Sequence, residues 1–194
     1  MTRGRAGLST ERVVQAGAEL ADEIGFDRVT PTELARRFDV KTASLYAHIK
    51  NLQDLRTRIA LFALEELADL ASAAMAGRAG KDALAAFADV CRDYARHHPG
   101  RYAATQLRLD SESAAGSAAP KHSHMLRAIL RGYDLAEPDQ THAVRLLGSV
   151  IHGYISLEAA GGFHHSAPDT QETWSWLLHH LDALLKSQAT PPTC

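Results

Sequence analysis

The chain has 194 residues, 45% hydrophobic and 23% charged, with a formal net charge of −2. That is the composition of a globular protein with enough apolar residues for a sizeable core, and it excludes a disordered chain and one that binds polyanions by bulk charge. Cys91 and Cys194 have no disulfide or metal spacing, no apolar run follows Arg3 and Arg5 as in a leader, and no stretch approaches the roughly eighteen apolar residues of a membrane span. A cytoplasmic protein with no membrane partner is expected.

In chain order, Val13, Gly17, Leu20 and Ile24 recur at helical spacing, with Ser9 or Thr10 as cap and Gly25 as stop. Thr30 is a good N-cap, Pro31 suits the first helical position and Glu33 completes a capping box. Leu34, Ala35 and Phe38 then form one apolar stripe, which Val40 continues through a tight turn. Leu45 and Ile49 anchor a second short helix on the same core. That leaves Lys41, Thr42, Ala43, Tyr46, Ala47 and His48 to face outward. A helix pair of this kind can lay its second member in the major groove of DNA. Small residues at its start allow close approach to base edges, and Ala43 can touch a thymine methyl. Ser44, Tyr46, His48 and Lys50 can donate to phosphate oxygens. Between 36 and 58, Arg36, Arg37, Lys41, Lys50, Arg56 and Arg58 face only Asp39 and Asp54, a local basic patch of the sort a DNA contact needs. An ordinary helical hairpin with a solvated face is the competing reading of the same residues.

Asn51 caps a long helix carrying Leu52, Leu55, Ile59, Phe62 and Leu70, which ends near Gly77. Leu84, Phe87, Cys91 and Tyr94 mark another, ended by His97-His98-Pro99-Gly100, and a short helix holds Tyr102 to Leu109. The polar, aperiodic stretch 110–120 reads as a loop. Leu126, Ile129 or Leu130, and Tyr133 mark the next helix. Pro138 opens a longer one, apolar on several faces, that runs to Ala160 and stops at Gly161-Gly162. Asp169 and Glu172 cap a last helix bearing Trp174, Leu177, Leu178, Leu181, Leu184 and Leu185. No strand pattern or internal repeat competes. The expectation is an all-α chain of about nine helices, with a three-helix N-terminal domain over 7–55 and a helical C-terminal domain over 56–194.

Residues 9–55 resemble the DNA-binding domain of the TetR (tetracycline-repressor) family throughout. The resemblance lies in Ile24-Gly-Phe at the end of the first helix, Thr30 before the second, Leu34-Ala35, and above all Ser44-Leu45-Tyr46-x-His48-Ile49-Lys50-Asn51. It implies DNA contacts from Thr32, Lys41, Thr42, Ala43, Ser44, Tyr46, His48 and Lys50. Lys50 and Tyr46 would be phosphate anchors, and Lys41, Thr42 and Ala43 base readers. It also implies a ligand-responsive repressor that acts as a homodimer on a palindromic double-stranded operator. The chain departs from the family pattern at Asp39, where the turn usually has glycine, at Lys41, where a capping Ser is frequent, and at Leu52, where Lys is frequent. The stretch from His152-Gly153 to Phe163 is similar to the TetR C-terminal domains named for a Trp-His-Gly signature, though no Trp precedes His152. The alternative is a helical small-molecule sensor or interaction protein whose DNA-binding head is vestigial.

For the C-terminal half, a small apolar effector is expected between helices. Phe87, Tyr94, Tyr102, Met125, Ile129 and Phe163, with His152, are candidates for its pocket, although each is an equally good core residue. The helices over 138–160 and 170–186 carry more apolar surface than one core stripe needs. Leu146, Val150, Gly153 and Leu157 form one face of the first, and Leu147, Ile151 and Tyr154 another. With Leu177, Leu181 and Leu184 of the last helix, the first of these faces is the expected dimer interface. The paired histidines lack the i,i+4 spacing and Cys partners of a zinc site, so neither metal nor cofactor is expected. No G-x-S-x-G, P-loop, G-x-G-x-x-G or H-E-x-x-H frame is present, so no enzyme is expected.

Overall fold

The structure is a computed structural model and describes residues 8–115, 117–163 and 165–188. Among these residues there are nine α-helices, three 3-10 segments and no strand. The helices are α1 (Thr10–Ile24), α2 (Pro31–Phe38), α3 (Leu52–Met75), α4 (Gly80–His97), α5 (Pro99–Thr105), α6 (Ser111–Ala115), α7 (Ala119–Leu130), α8 (Asp139–Ala159) and α9 (Thr170–Ser187). None is long and apolar enough to cross a membrane.

Local chemistry sets most of these boundaries. The side chains of Ser9, Thr30, Asn51 and Asp169 accept the backbone N–H of Arg12, Glu33, Asp54 and Glu172 at 3.3, 3.2, 2.8 and 2.7 Å, satisfying donors that a helix start leaves open. The Glu33 carboxylate turns to Arg36 at 2.6 Å. Gly25 ends α1 at φ 91°. Asp39 ends α2 in the left-handed conformation, φ 53° and ψ 49°, which Asp tolerates better than most residues. Several boundaries differ from expectation. The helix expected over 102–109 runs Pro99–Thr105 instead, since proline supplies both a helical φ and a missing donor at the first position, and the helix expected to carry Tyr133 ends at Leu130, with Tyr133 in a 3-10 turn. The loop expected over 110–120 contains α6, whose first turn Asp110 closes by accepting the Ser113 N–H at 2.8 Å.

The chain packs into two compact units. The first takes the described residues up to Glu66 together with His97–Ala118, and the second takes Leu67–Arg96 and the described residues from 119 onward. Packing thus puts 56–66 and 97–118 with the N-terminal helices, a different line from a cut at residue 55. In the first unit Val13, Leu34, Leu45, Leu55 and Ile59 are fully buried, and α5 adds Ala104 to their core. A Cβ on Gly100 would lie 2.0 Å from the carbonyl carbon and oxygen of Ala21, so α5 meets the α1 backbone directly. Polar contacts fix this docking. Asp22 accepts the Arg101 N–H at 2.9 Å and pairs with the Arg101 side chain at 3.1 Å and His98 at 3.2 Å, while Arg101 reaches Glu66 at 3.1 Å. Gly100→Ala is expected to cost about 3 kcal/mol, since the obstruction is backbone and cannot rotate away. Urea denaturation measures it, and a loss under about 0.5 kcal/mol would show that α5 is not held against α1 as described.

The second unit is built around Phe87, Cys91, Ile129, Leu130, Leu147, Ile151, Trp174 and Leu178, all buried. Burial pushes the Cys91 thiol up to about 12, so it behaves as a small core residue.

Candidate DNA-binding face and C-terminal sites

The segment after the α2 turn is a 3-10 helix over Thr42–Ala47. Lys41 at its N-cap offers no side-chain acceptor, and six residues without a cap are too few to sustain an α-helix alone. Ser44 N–H bonds to Lys41 O at 2.9 Å and His48 N–H to Leu45 O at 2.8 Å, the i to i+3 pattern. With three residues per turn, Thr42, Leu45 and His48 fall on one row. Leu45 is fully buried, and Thr42 and His48 beside it are half-buried. Both are less exposed than the outward placement expected of them, which assumed an α-helical period, but each keeps part of its surface open. Ala43, Ser44, Tyr46 and Ala47 occupy the other two rows and are exposed, Tyr46 by 54%. Lys41 and Lys50 flank them and are exposed, as is Thr32 near the start of α2.

The basic patch of 36–58 is smaller than its composition. Arg36 pairs with Glu33, Arg37 with Glu19 and Glu23, and Arg58 with Asp54, while Arg56 donates to the carbonyl of Asp27 at 2.6 Å. Lys41 and Lys50 are the two cations of that stretch whose side chains make no hydrogen bond or ion pair among the described residues. Asp54 holds the backbone around Lys50 by accepting its N–H at 2.9 Å. Burial alone would raise the Asp54 carboxyl, but this bond and Arg58 outweigh it and hold the group below the usual range.

In the second unit Phe87, Tyr94 and Ile129 are buried core residues, and Met125, His152 and Phe163 are half-buried. Tyr102, half-buried on α5, belongs to the first unit and not with them. His152 lies 3.3 Å from the Ser156 hydroxyl, one turn along α8. Phe163 packs on Tyr154 at 5.0 Å between ring centres. A polar cluster beside it was not expected from the sequence. Arg92, 2% exposed, donates to both oxygens of Glu158 at 2.9 and 2.6 Å, to Gln171 at 2.7 Å and to the Thr170 carbonyl at 3.1 Å. Its guanidinium sits 5.0 Å from the Trp174 ring centre and 5.6 Å from that of Tyr154. The Trp174 indole donates to Asp89 at 2.7 Å. The Arg92 hydrogen bonds drive the Glu158 carboxyl down to about 2 against the upward pull of burial. Partners 66 to 79 residues apart leave no periodicity to read. The one available hint was an arginine on the otherwise apolar stripe of α4.

On α8, Leu147, Ile151 and Tyr154 point into the core, whereas Leu146 and Leu157 are exposed and Val150 and Gly153 half-buried. On α9, Leu184 is exposed and Leu177 half-buried. Leu181 is buried on the same side as Trp174, Leu178 and Leu185, so its side chain belongs to the core of this chain and not to an outer face. Among the described residues no group of three His, Cys, Asp or Glu is placed to hold a metal ion.

Residues 84–181 match the family model described as the tetracyclin repressor-like C-terminal domain. An uncharacterised HTH-type transcriptional regulator of Mycobacterium tuberculosis, Rv0681, is 35% identical over 80% of this chain and 72% of its own length. The chain belongs to the TetR family of transcriptional regulators. Another relative, the uncharacterised HTH-type transcriptional regulator YobS of Bacillus subtilis, is 30% identical over 82% of this chain and 83% of its own. The fold is shared with the TetR-family protein ActR of Streptomyces coelicolor, solved in complex with (S)-DNPA. That structure has a TM-score of 0.65 and 16% identity, covering 95% of this chain and all of that one. The all-α architecture and the helix-turn-helix of this TetR-family chain are therefore those of a regulator, not an enzyme.

Proposed function

We propose that this TetR-family regulator represses transcription as a homodimer on a palindromic operator, with residues 7–55 reading DNA and 56–194 binding effector and partner. The observation that carries the DNA-reading part is the exposed 3-10 segment with Ala43, Ser44 and Tyr46 outward, flanked by Lys41 and Lys50, whose side chains make no hydrogen bond or ion pair among the described residues. Lys50 and Tyr46 are assigned to phosphates. Lys41, Thr42 and Ala43 are assigned to base edges, with Thr32, Ser44 and His48 in support. Two subunits are needed because one cannot span half-sites a helical turn apart, and the outer faces of α8 and α9 are the proposed contact. A small apolar effector in the second unit would act through its differential affinity for two conformations. The ActR complex shows a TetR-family protein holding a small molecule.

A mobility-shift assay on DNA upstream of the protein's own gene, run across a salt series, tests the reading. Lys50→Ala is expected to weaken binding to all sequences alike and to flatten the salt slope by about one unit per subunit. A changed sequence preference with an unchanged slope would make Lys50 a base reader.

A further inference from the structure

We propose that Trp176 anchors the homodimer by entering a groove at the far end of the α8–α9 face of a second copy. The inference rests on the dimer reading above and names its specific contact. Trp176 is 62% exposed, the most exposed of the large hydrophobic side chains among the described residues, and its ring stacks on His180 at 3.9 Å between centres. Its indole N–H has no acceptor among the described residues.

The groove lies where the start of α8 passes the end of α9. Leu135, Ala143, Leu146, Leu184 and Leu185 line it, with Asp139 and Gln188 among the polar groups, and it encloses about 250 Å³. Small-molecule pockets usually run from about 300 to 1,000 Å³, so this one suits a single large side chain better than a drug-sized effector. Leu146 and Leu184 belong both to the groove and to the exposed apolar face, so the groove continues that face. Asp139 and Gln188 offer acceptors to an indole N–H arriving from outside.

Knob and hole sit at opposite ends of one surface. Trp176 and Leu184 lie within about 80° of each other around α9, eight residues and about 12 Å apart along the axis. A twofold axis between the two ends and perpendicular to the face exchanges them, so each copy gives its Trp176 and receives the other's. This is the self-complementarity that an isologous contact requires. Tryptophan in a closed pocket is also the residue type that dominates interface energetics.

Trp174 is 1% exposed, so acrylamide quenching of the full-length chain reports on Trp176. Quenching is expected to fall as concentration rises through the dimer range in sedimentation equilibrium. Trp176→Ala, which leaves the core untouched, should raise the dimer dissociation constant by at least about 30-fold. In a Cys194→Ser background, Trp176→Cys combined with Leu146→Cys should give a dimer that crosslinks between subunits on oxidation, since the native Cys91 is buried. A wild-type dimer whose Trp176 stays quenchable, with Trp176→Ala unchanged and no crosslink, overturns the anchor alone and leaves the groove to a small ligand or another protein. A wild-type chain that is monomeric at every concentration overturns the anchor and the dimer reading together.

Discussion

Gly153→Arg is expected to give a folded monomer whose operator affinity has fallen by at least about 100-fold. The fold should survive because a Cβ at Gly153 meets nothing within 4 Å inside the chain, so the new side chain has open space within its own subunit. Replacing glycine inside a helix also removes a helix-propensity cost of about 1 kcal/mol. The damage falls on association. Gly153 is flanked by Val150 and Leu157 on the uncovered stripe of α8, and a guanidinium there would have to be buried without a carboxylate partner in a twofold contact, twice per dimer. Once subunits separate, each head binds a single half-site, and the gain of about 10²–10⁴ that linked binding provides is lost. Sedimentation equilibrium and a mobility-shift titration check the two halves of the result. A dimer with wild-type DNA affinity would place the subunit contact elsewhere.

Glu158→Gln is expected to destabilise the chain by about 3–5 kcal/mol, the cost of leaving one member of a buried ion pair without its counter-charge. Gln preserves size and one acceptor, but Arg92 would keep a full charge at 2% exposure, boxed in by Tyr154 and Trp174. The same pair sets a pH dependence. The Glu158 carboxyl, held at about 2 chiefly by the Arg92 hydrogen bonds, returns to an ordinary value near 4.5 on unfolding. A depressed carboxylate stabilises the fold above its unfolded pKa, and that contribution, about 3 kcal/mol, disappears as pH falls from about 4.5 toward 2. Thermal melts from pH 6 to pH 2 should therefore show a larger drop in the wild type than in Glu158→Gln, which keeps only the acid loss from other depressed carboxylates such as Asp54. Parallel profiles would mean that other carboxylates carry the acid sensitivity.

Much of the first unit was legible because its signals are local. A cap bonds three residues along, and a left-handed stop depends on one residue's own φ. Ser9, Thr30, Asn51, Gly25 and Asp39 thus stand where the sequence placed them, as does Asp169 in the second unit. The family resemblance was legible for the same reason, since Ser44 to Asn51 is one continuous run. Other features were settled by partners far away along the chain. The 3-10 period that sets Thr42 and His48 in one row with the buried Leu45 depends on how the segment seats on its core. The docking of Gly100 on Ala21, and the Arg92 cluster, join residues whose separation carries no periodicity. Apolar periodicity shows that α8 and α9 each have more than one greasy face. Only packing decides which face the subunit itself covers, and it took Leu181 inward while leaving Leu146, Leu157, Trp176 and Leu184 exposed.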